Sequence, residues 1–218
     1  MSKPMNKWAV ALALGALAFF TAQAPAQEKR DTSTHSHSSA EEQIHKGYFE
    51  DSQIQNRTLA DWQGEWQSVY PYLMYGTLDP VMEHKAESGK MSAEEYRAYY
   101  DVGYKTDVDK IIIKDDEFTF IKDSGSVSGR YVYDGRETLT YKKGNRGVRF
   151  IFKKAEGDDD APRIIQFSDH RIAPSKADHF HLYWGDDRAA VLKELTNWPT
   201  YYPASLSGDE IVHAMMAH

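Results

Sequence analysis

The stretch VSGRYVYDGRETLTYKKGNRGVRFIFKK, Val127 to Lys154, decides the fold class. Three segments in it, Val127–Asp134, Glu137–Lys143 and Val148–Lys154, are rich in Val, Tyr, Thr, Phe and Ile. Such side chains fit a pleated, half-buried surface. Between them lie Asp134-Gly135 and Gly144-Asn145 followed by Arg146-Gly147, residues that take up turn conformations cheaply. The stretch therefore reads as consecutive antiparallel strands, with a compact hairpin at Asp134-Gly135. Working outward, Lys110–Ile121 with a turn at Asp115-Asp116, Arg163–Ser168 and His179–Trp184 continue the series. Short strands joined by tight turns predict an antiparallel meander in a mainly β chain of the α+β class, closed as a barrel or packed as a sandwich.

Helical patterns flank the strands. Leu59, Trp62, Trp66, Val69 and Tyr70 recur at helical spacing, which predicts a helix over 58–75 capped by Thr58 and broken at Pro71. Residues 91–104 predict another, with Ser92 and Glu95 as a capping box and tyrosines 96, 99, 100 and 104 packing on the domain. Shorter helices are expected at 41–49, 187–195 and 207–217, the last opened by a second box, Ser207 with Glu210. Asn197 to Pro203, NWPTYYP, reads as a rigid aromatic connection. Glu156–Asp160 is acidic but lacks EF-hand spacing and reads as a solvated turn.

The N-terminus has a different character. Lys3 and Lys7 precede an apolar run from Trp8 to Phe20, and Ala24 and Ala26 form an A-x-A pattern. This predicts a secretory signal peptide, residues 1–26, cleaved after Ala26. No second apolar run of spanning length follows, so no membrane insertion is expected after cleavage. Residues 27–40 are polar, Ser/Thr-rich and carry His35 and His37, the composition of a flexible tail. Residues 41–218 are expected to form one domain. The chain has no cysteine, so neither disulfides nor thiolate metal sites are available. Its net charge of −7 disfavours nucleic acid as a partner.

The remaining signal is a cluster of histidines. Phe167 to Gly185, FSDHRIAPSKADHFHLYWG, holds His170, His179 and His181, three of the nine in the chain. Alternate residues of a strand share a face, so His179 and His181 point together and Phe180 points away. An antiparallel hairpin through Pro174 brings His170 back beside them, while a register slip of one residue sends it to the other face. Three imidazoles can hold a metal and leave a fourth tetrahedral position open. With no cysteine, imidazole favours zinc, with copper and nickel as alternatives, over calcium or magnesium. The flanking Asp169 and Asp178 read as turn residues, and His84, His213 and His218 as incidental.

These motifs resemble the ZinT (YodA) family of periplasmic zinc- and cadmium-binding proteins. The resemblance is carried by QNRTLADWQGEWQSVYPYL (55–73), TLTYKKGNRGVRFIF (138–152), IQFSDHRIAP (165–174), DHFHLYWG (178–185) and NWPTYYP (197–203). It implies a calycin, lipocalin-like barrel with added helices. It also implies one principal site for Zn2+ or Cd2+ at His170, His179 and His181, with a variable fourth ligand. The implied role is zinc homeostasis in the periplasm, in partnership with the solute-binding protein of an ABC-type zinc importer. The histidine-rich arm of many relatives is thin here, reduced to His35, His37 and His45. On this reading the protein is not an enzyme. Two other readings stay open: a zinc hydrolase or hydratase using three histidines and water, and a lipocalin-like binder of a small apolar ligand.

Overall fold

A computed structural model describes residues 40–217. The expected signal peptide and most of the polar tail, with His35 and His37, lie outside the described residues. Eight strands form a closed antiparallel barrel in simple sequence order. They are β1 (Gly64–Ser68), β2 (Lys110–Lys114), β3 (Glu117–Lys122), β4 (Gly125–Thr140), β5 (Arg146–Gly157), β6 (Ile164–Ser168), β7 (Phe180–Gly185) and β8 (Thr200–Pro203). β8 pairs with β1 through Trp66↔Pro203, Gln67↔Tyr202 and Ser68↔Tyr201, which closes the ring. Closure satisfies every strand edge and resolves the choice between barrel and sandwich.

The helices are α1 (residues 40–45), α2 (Tyr70–Met74), α3 (Asp79–Ala86), α4 (Ala93–Tyr104), α5 (Arg188–Lys193) and α6 (Gly208–Met216). No described helix is long and apolar enough to cross a membrane. Ser92 and Ser207 each accept from the backbone N–H three residues on, and Glu95 and Glu210 return the bond, so both expected capping boxes form.

Three expectations fail for identifiable reasons. Residues 58–75 are not one helix: a single 3₁₀ turn at Leu59–Trp62 leads into β1, and α2 follows. Gly64 has φ of +134°, a conformation closed to other residues, and ends the helical run. Pro71 lies in the first turn of α2, where its missing N–H costs nothing. Thr58 makes no side-chain cap. Asp134-Gly135 is not a hairpin: β4 runs straight through it, and the register with β5 shifts between Tyr133 and Arg136. Gly135, with φ of +105°, supplies a β-bulge that bends a 16-residue strand around the barrel. Finally, NWPTYYP contains the closing strand β8 rather than a loop. Helix α3 gave no expectation from sequence and begins with Pro80 in its first turn.

Two cores result. Inside the barrel, residues from all eight strands pack with Trp62: Trp66, Ile111, Phe118, Tyr131, Phe150, Phe167, Phe180 and Tyr201 are each 2% exposed or less. Trp62 stacks on Phe167 at 4.4 Å between centroids. The barrel interior is thus a packed aromatic core. A second core lies between the barrel's outer face and the helices, with Val69, Leu73, Val81, Met82, Tyr104, Tyr202, Ile211 and Met215. Gly103 lets α4 reach Trp198: a Cβ there would meet the indole at 2.3 Å.

Candidate metal centre

The site forms where β6 ends and β7 begins, on the outer face of the barrel beneath the helical layer. β6 and β7 pair from Ile164↔Gly185 to Ser168↔His181. Phe180 is fully buried in the inner core, and its cross-strand partner Tyr201 joins it there. His179 and His181 therefore face outward together, as alternation requires. His179 precedes the strand rather than starting it, a difference of one residue from expectation.

His170 is not the last strand residue either. The ladder stops at Ser168, and His170 turns with φ of +62°. Histidine is among the residues that tolerate this left-handed conformation. The turn swings its ring over the other two. Ring centroids lie 5.9 Å apart for His170–His179, 5.7 Å for His170–His181 and 5.8 Å for His179–His181. One nitrogen from each ring lies within 4.8 Å of the others. Among the described residues this is the one histidine, cysteine or carboxylate cluster with such geometry. The three sides are nearly equal, so a single ion could sit at similar distances from all three rings with modest adjustment.

The surroundings hold each imidazole. His181 Nδ1 lies 2.8 Å from Thr200 Oγ1, and that hydroxyl donates its proton to the Trp198 carbonyl at 3.0 Å. With that proton on the Trp198 carbonyl, the Thr200 oxygen can accept from Nδ1–H of His181. A second contact of this kind at the ring nitrogen away from the metal is common in metal-bound histidines, where it orients the imidazole. His179 stacks face to face on Tyr202, 5.1 Å between centroids and 13° between planes. His170 stacks on His45 of α1 at 4.8 Å and 29°. His179 is buried, His181 half-buried and His170 exposed, so the cluster reaches solvent at one corner.

Asp169 does more than make a turn. It is 5% exposed and accepts from Arg57 Nη1 at 2.6 Å, Trp62 Nε1 at 3.1 Å and the Arg171 N–H at 3.3 Å. Burial pushes its carboxyl up, against the pull of the adjacent Arg57 guanidinium. Arg57, itself fully buried, also donates to Asp61 at 2.8 Å and to the Ser175 carbonyl at 2.8 Å. This network ties the 169–178 loop to the chain before β1 and so fixes where His170 stands. Asp178 is exposed and pairs with Arg171, as a turn residue would. Sequence reasoning missed Thr200, Tyr202 and Arg57. The first two lie in NWPTYYP, where T-x-Y alternation was available as a strand signal; nothing local marks Arg57.

The three rings open on a cavity of about 310 Å³ whose lining includes Tyr99, Tyr100, Tyr104, Trp198 and Met215. Among the described residues no Asp or Glu lines it.

Comparison with known families matches residues 40–218 to ZinT, described as ZinT (YodA) periplasmic lipocalin-like zinc-recruitment. The chain belongs to the ZinT family, and this region is a ZinT-like zinc-binding domain. It is 58% identical over 178 residues to the probable metal-binding protein YrpE of Bacillus subtilis, covering 81% of this chain and 71% of YrpE. It is 50% identical over 177 residues to the zinc-binding lipoprotein AdcA of Streptococcus pneumoniae, covering 80% of this chain and 35% of AdcA, so it spans about a third of that relative. The solved structure of the Zn(II)-bound ZinT-like domain of that AdcA superposes with a TM-score of 0.76 at 50% identity, covering 79% of this chain and 97% of the domain.

Proposed function

We propose that the protein is an exported zinc carrier that holds one zinc ion on His170, His179 and His181. The observation that carries this is the near-equilateral triangle of imidazoles, with ring centroids 5.7–5.9 Å apart. Three neutral nitrogens bind zinc firmly and leave one position for an incoming ligand, which suits uptake and release by ligand exchange. The Zn(II)-bound state of the similar AdcA domain supports zinc as cargo. Cadmium would bind the same borderline-soft nitrogens, and copper or nickel would compete for them. The signal-like N-terminus and the family's periplasmic description support export, and the kinship with AdcA supports delivery to the solute-binding component of an ABC-type zinc importer.

Competition titration of zinc against a chromophoric chelator tests the site. One-to-one binding near nanomolar, about −12 kcal/mol, is expected. His170→Ala and His181→Ala should each weaken it at least tenfold, about 1.4 kcal/mol. Unchanged affinity in both variants would remove these histidines from the site.

A further inference from the structure

A second cavity, about 380 Å³, adjoins the histidine cluster and includes His170 and His181 in its wall. Its charged lining residues are Lys46, Arg146, Arg149 and Arg171, and among the described residues no Asp or Glu lines it. Lys46 pairs with Glu42, Arg146 with Asp51 and Arg171 with Asp178, so among these cations Arg149 is the one for which no ion pair is found among the described residues.

Arg149 sets its character. The residue is 1% exposed. Its Nη2 donates to the Glu194 carbonyl at 2.9 Å, while Nε and Nη1 find no hydrogen-bond partner among the described residues. Its guanidinium carbon lies 3.1 Å from the centroid of the Tyr183 ring, so one flat face is packed. Two neighbouring acids bond to other groups, although the Glu194 charge still acts on Arg149. Glu137 faces Arg149 across the β4–β5 ladder but accepts from Arg188 Nη2 at 2.9 Å. The Glu194 carboxylate accepts from the Thr196 and Asn197 backbone N–H groups. A buried guanidinium with two unused donors is costly, and burial works against its charge.

Register explains why this cation lies beside the histidines. Phe150 pairs with Phe167, so the next residues along, Arg149 and Ser168, oppose each other at the end of the β5–β6 ladder. Ser168 pairs with His181, and His181 with Thr200. Arg149, Ser168, His181 and Thr200 thus form one row across four strands on the outer face. Strands stand about 4.8 Å apart, which sets Arg149 and His181 about 10 Å apart at the backbone.

We propose that this cavity is a binding site for a small organic carboxylate, anchored by the Nε and Nη1 donors of Arg149. A guanidinium edge matches a carboxylate in a two-point hydrogen bond. The organic part is required by the other walls, which include Phe49, Tyr141, Tyr183, Leu195 and Trp198. The inference goes beyond zinc carriage and stands without metal, so it is tested on metal-free protein.

Benzoate is the probe, with benzamide as its uncharged counterpart, titrated calorimetrically into the purified protein. Benzoate should bind with Kd of about 1 mM or tighter, and benzamide at least tenfold more weakly. The Arg149 Nε–H signal, assigned through its contact with the Tyr183 ring, should shift on adding benzoate but not benzamide. Arg149→Lys, which keeps the charge but loses the fork, should bind benzoate at least fivefold more weakly. Equal affinity for the two probes, an unmoved Nε–H signal, or unchanged binding in a folded Arg149→Lys protein would overturn the proposal. The signal shift is read on the unsubstituted chain, so an unfolded variant does not suspend the decision. Loss of zinc binding with benzoate binding intact would count against the carrier reading alone.

Discussion

Thr200→Val tests whether the second layer of the site tunes the metal. The substitution keeps the shape of a residue that is 2% exposed and removes only the hydroxyl. Two hydrogen bonds go with it: the one accepted from His181 Nδ1 at 2.8 Å and the one donated to the Trp198 carbonyl at 3.0 Å. The second affects metal-free and metal-bound protein alike and should appear as a stability loss of about 1 kcal/mol. The first differs between the two states, because it orients the His181 ring that would carry the metal. Losing one such bond costs about 1–1.5 kcal/mol, with a further few tenths for the freed ring rotation. The sum, about 1.4–2 kcal/mol, is roughly a ten- to thirtyfold weaker zinc Kd. Chelator competition at fixed pH measures it, with thermal unfolding confirming that the variant folds. Thr200→Ser, which keeps the hydroxyl, should stay within about threefold of the unsubstituted protein. A Thr200→Val protein that binds zinc as tightly as the parent would refute the reasoning, since His181 would then not depend on this contact.

Other outcomes follow from the same structure. Metal binding requires neutral imidazole, so zinc affinity should fall at least tenfold between pH 7.5 and pH 5.5, below the usual imidazole range of about 6.5; an affinity flat across that interval would argue against histidine ligation. Asp169→Ala leaves the buried Arg57 with one carboxylate, Asp61, and should destabilise by about 3 kcal/mol in urea unfolding. It should also weaken zinc binding, because the 169–178 loop loses its anchor; full stability with full affinity would count against that anchoring role. Phe180→Ala empties space between Trp66, Phe167 and Tyr201 and should cost about 3–5 kcal/mol, read from the same urea curves. A loss under about 1 kcal/mol would mean the barrel interior relaxes around the gap.

The strands of the middle of the chain were legible because their signal is local. The alternation in β2 and β3, with Ile111, Ile113, Phe118 and Phe120 inward, needs only the two-residue period of a pleated strand. The capping boxes at Ser92 and Ser207 are local as well, and both formed. The meeting of three imidazoles was also readable, since H-x-H on a strand and one hairpin suffice to bring the rings to one side. The failures share the opposite cause. Trp62, Trp66 and Tyr70 fit a helical period, yet Trp66 had to enter the barrel and pair with Pro203, 137 residues away. Nothing near Trp66 records that partner.

The sequence by itself determined the class of fold, the helix starts at Ser92 and Ser207, the absence of thiol chemistry and the histidines able to gather. Those follow from side-chain type, period and spacing within a few residues. Tertiary structure alone decided that the ring closes through NWPTYYP and that Asp134-Gly135 bends a strand instead of reversing it. It also decided that the histidines lie outside a filled barrel, held by Thr200, Tyr202 and the buried Arg57–Asp169 pair. Each of these depends on contacts between segments far apart in the chain, where burial and closure of the last unpaired edge outweigh local preference.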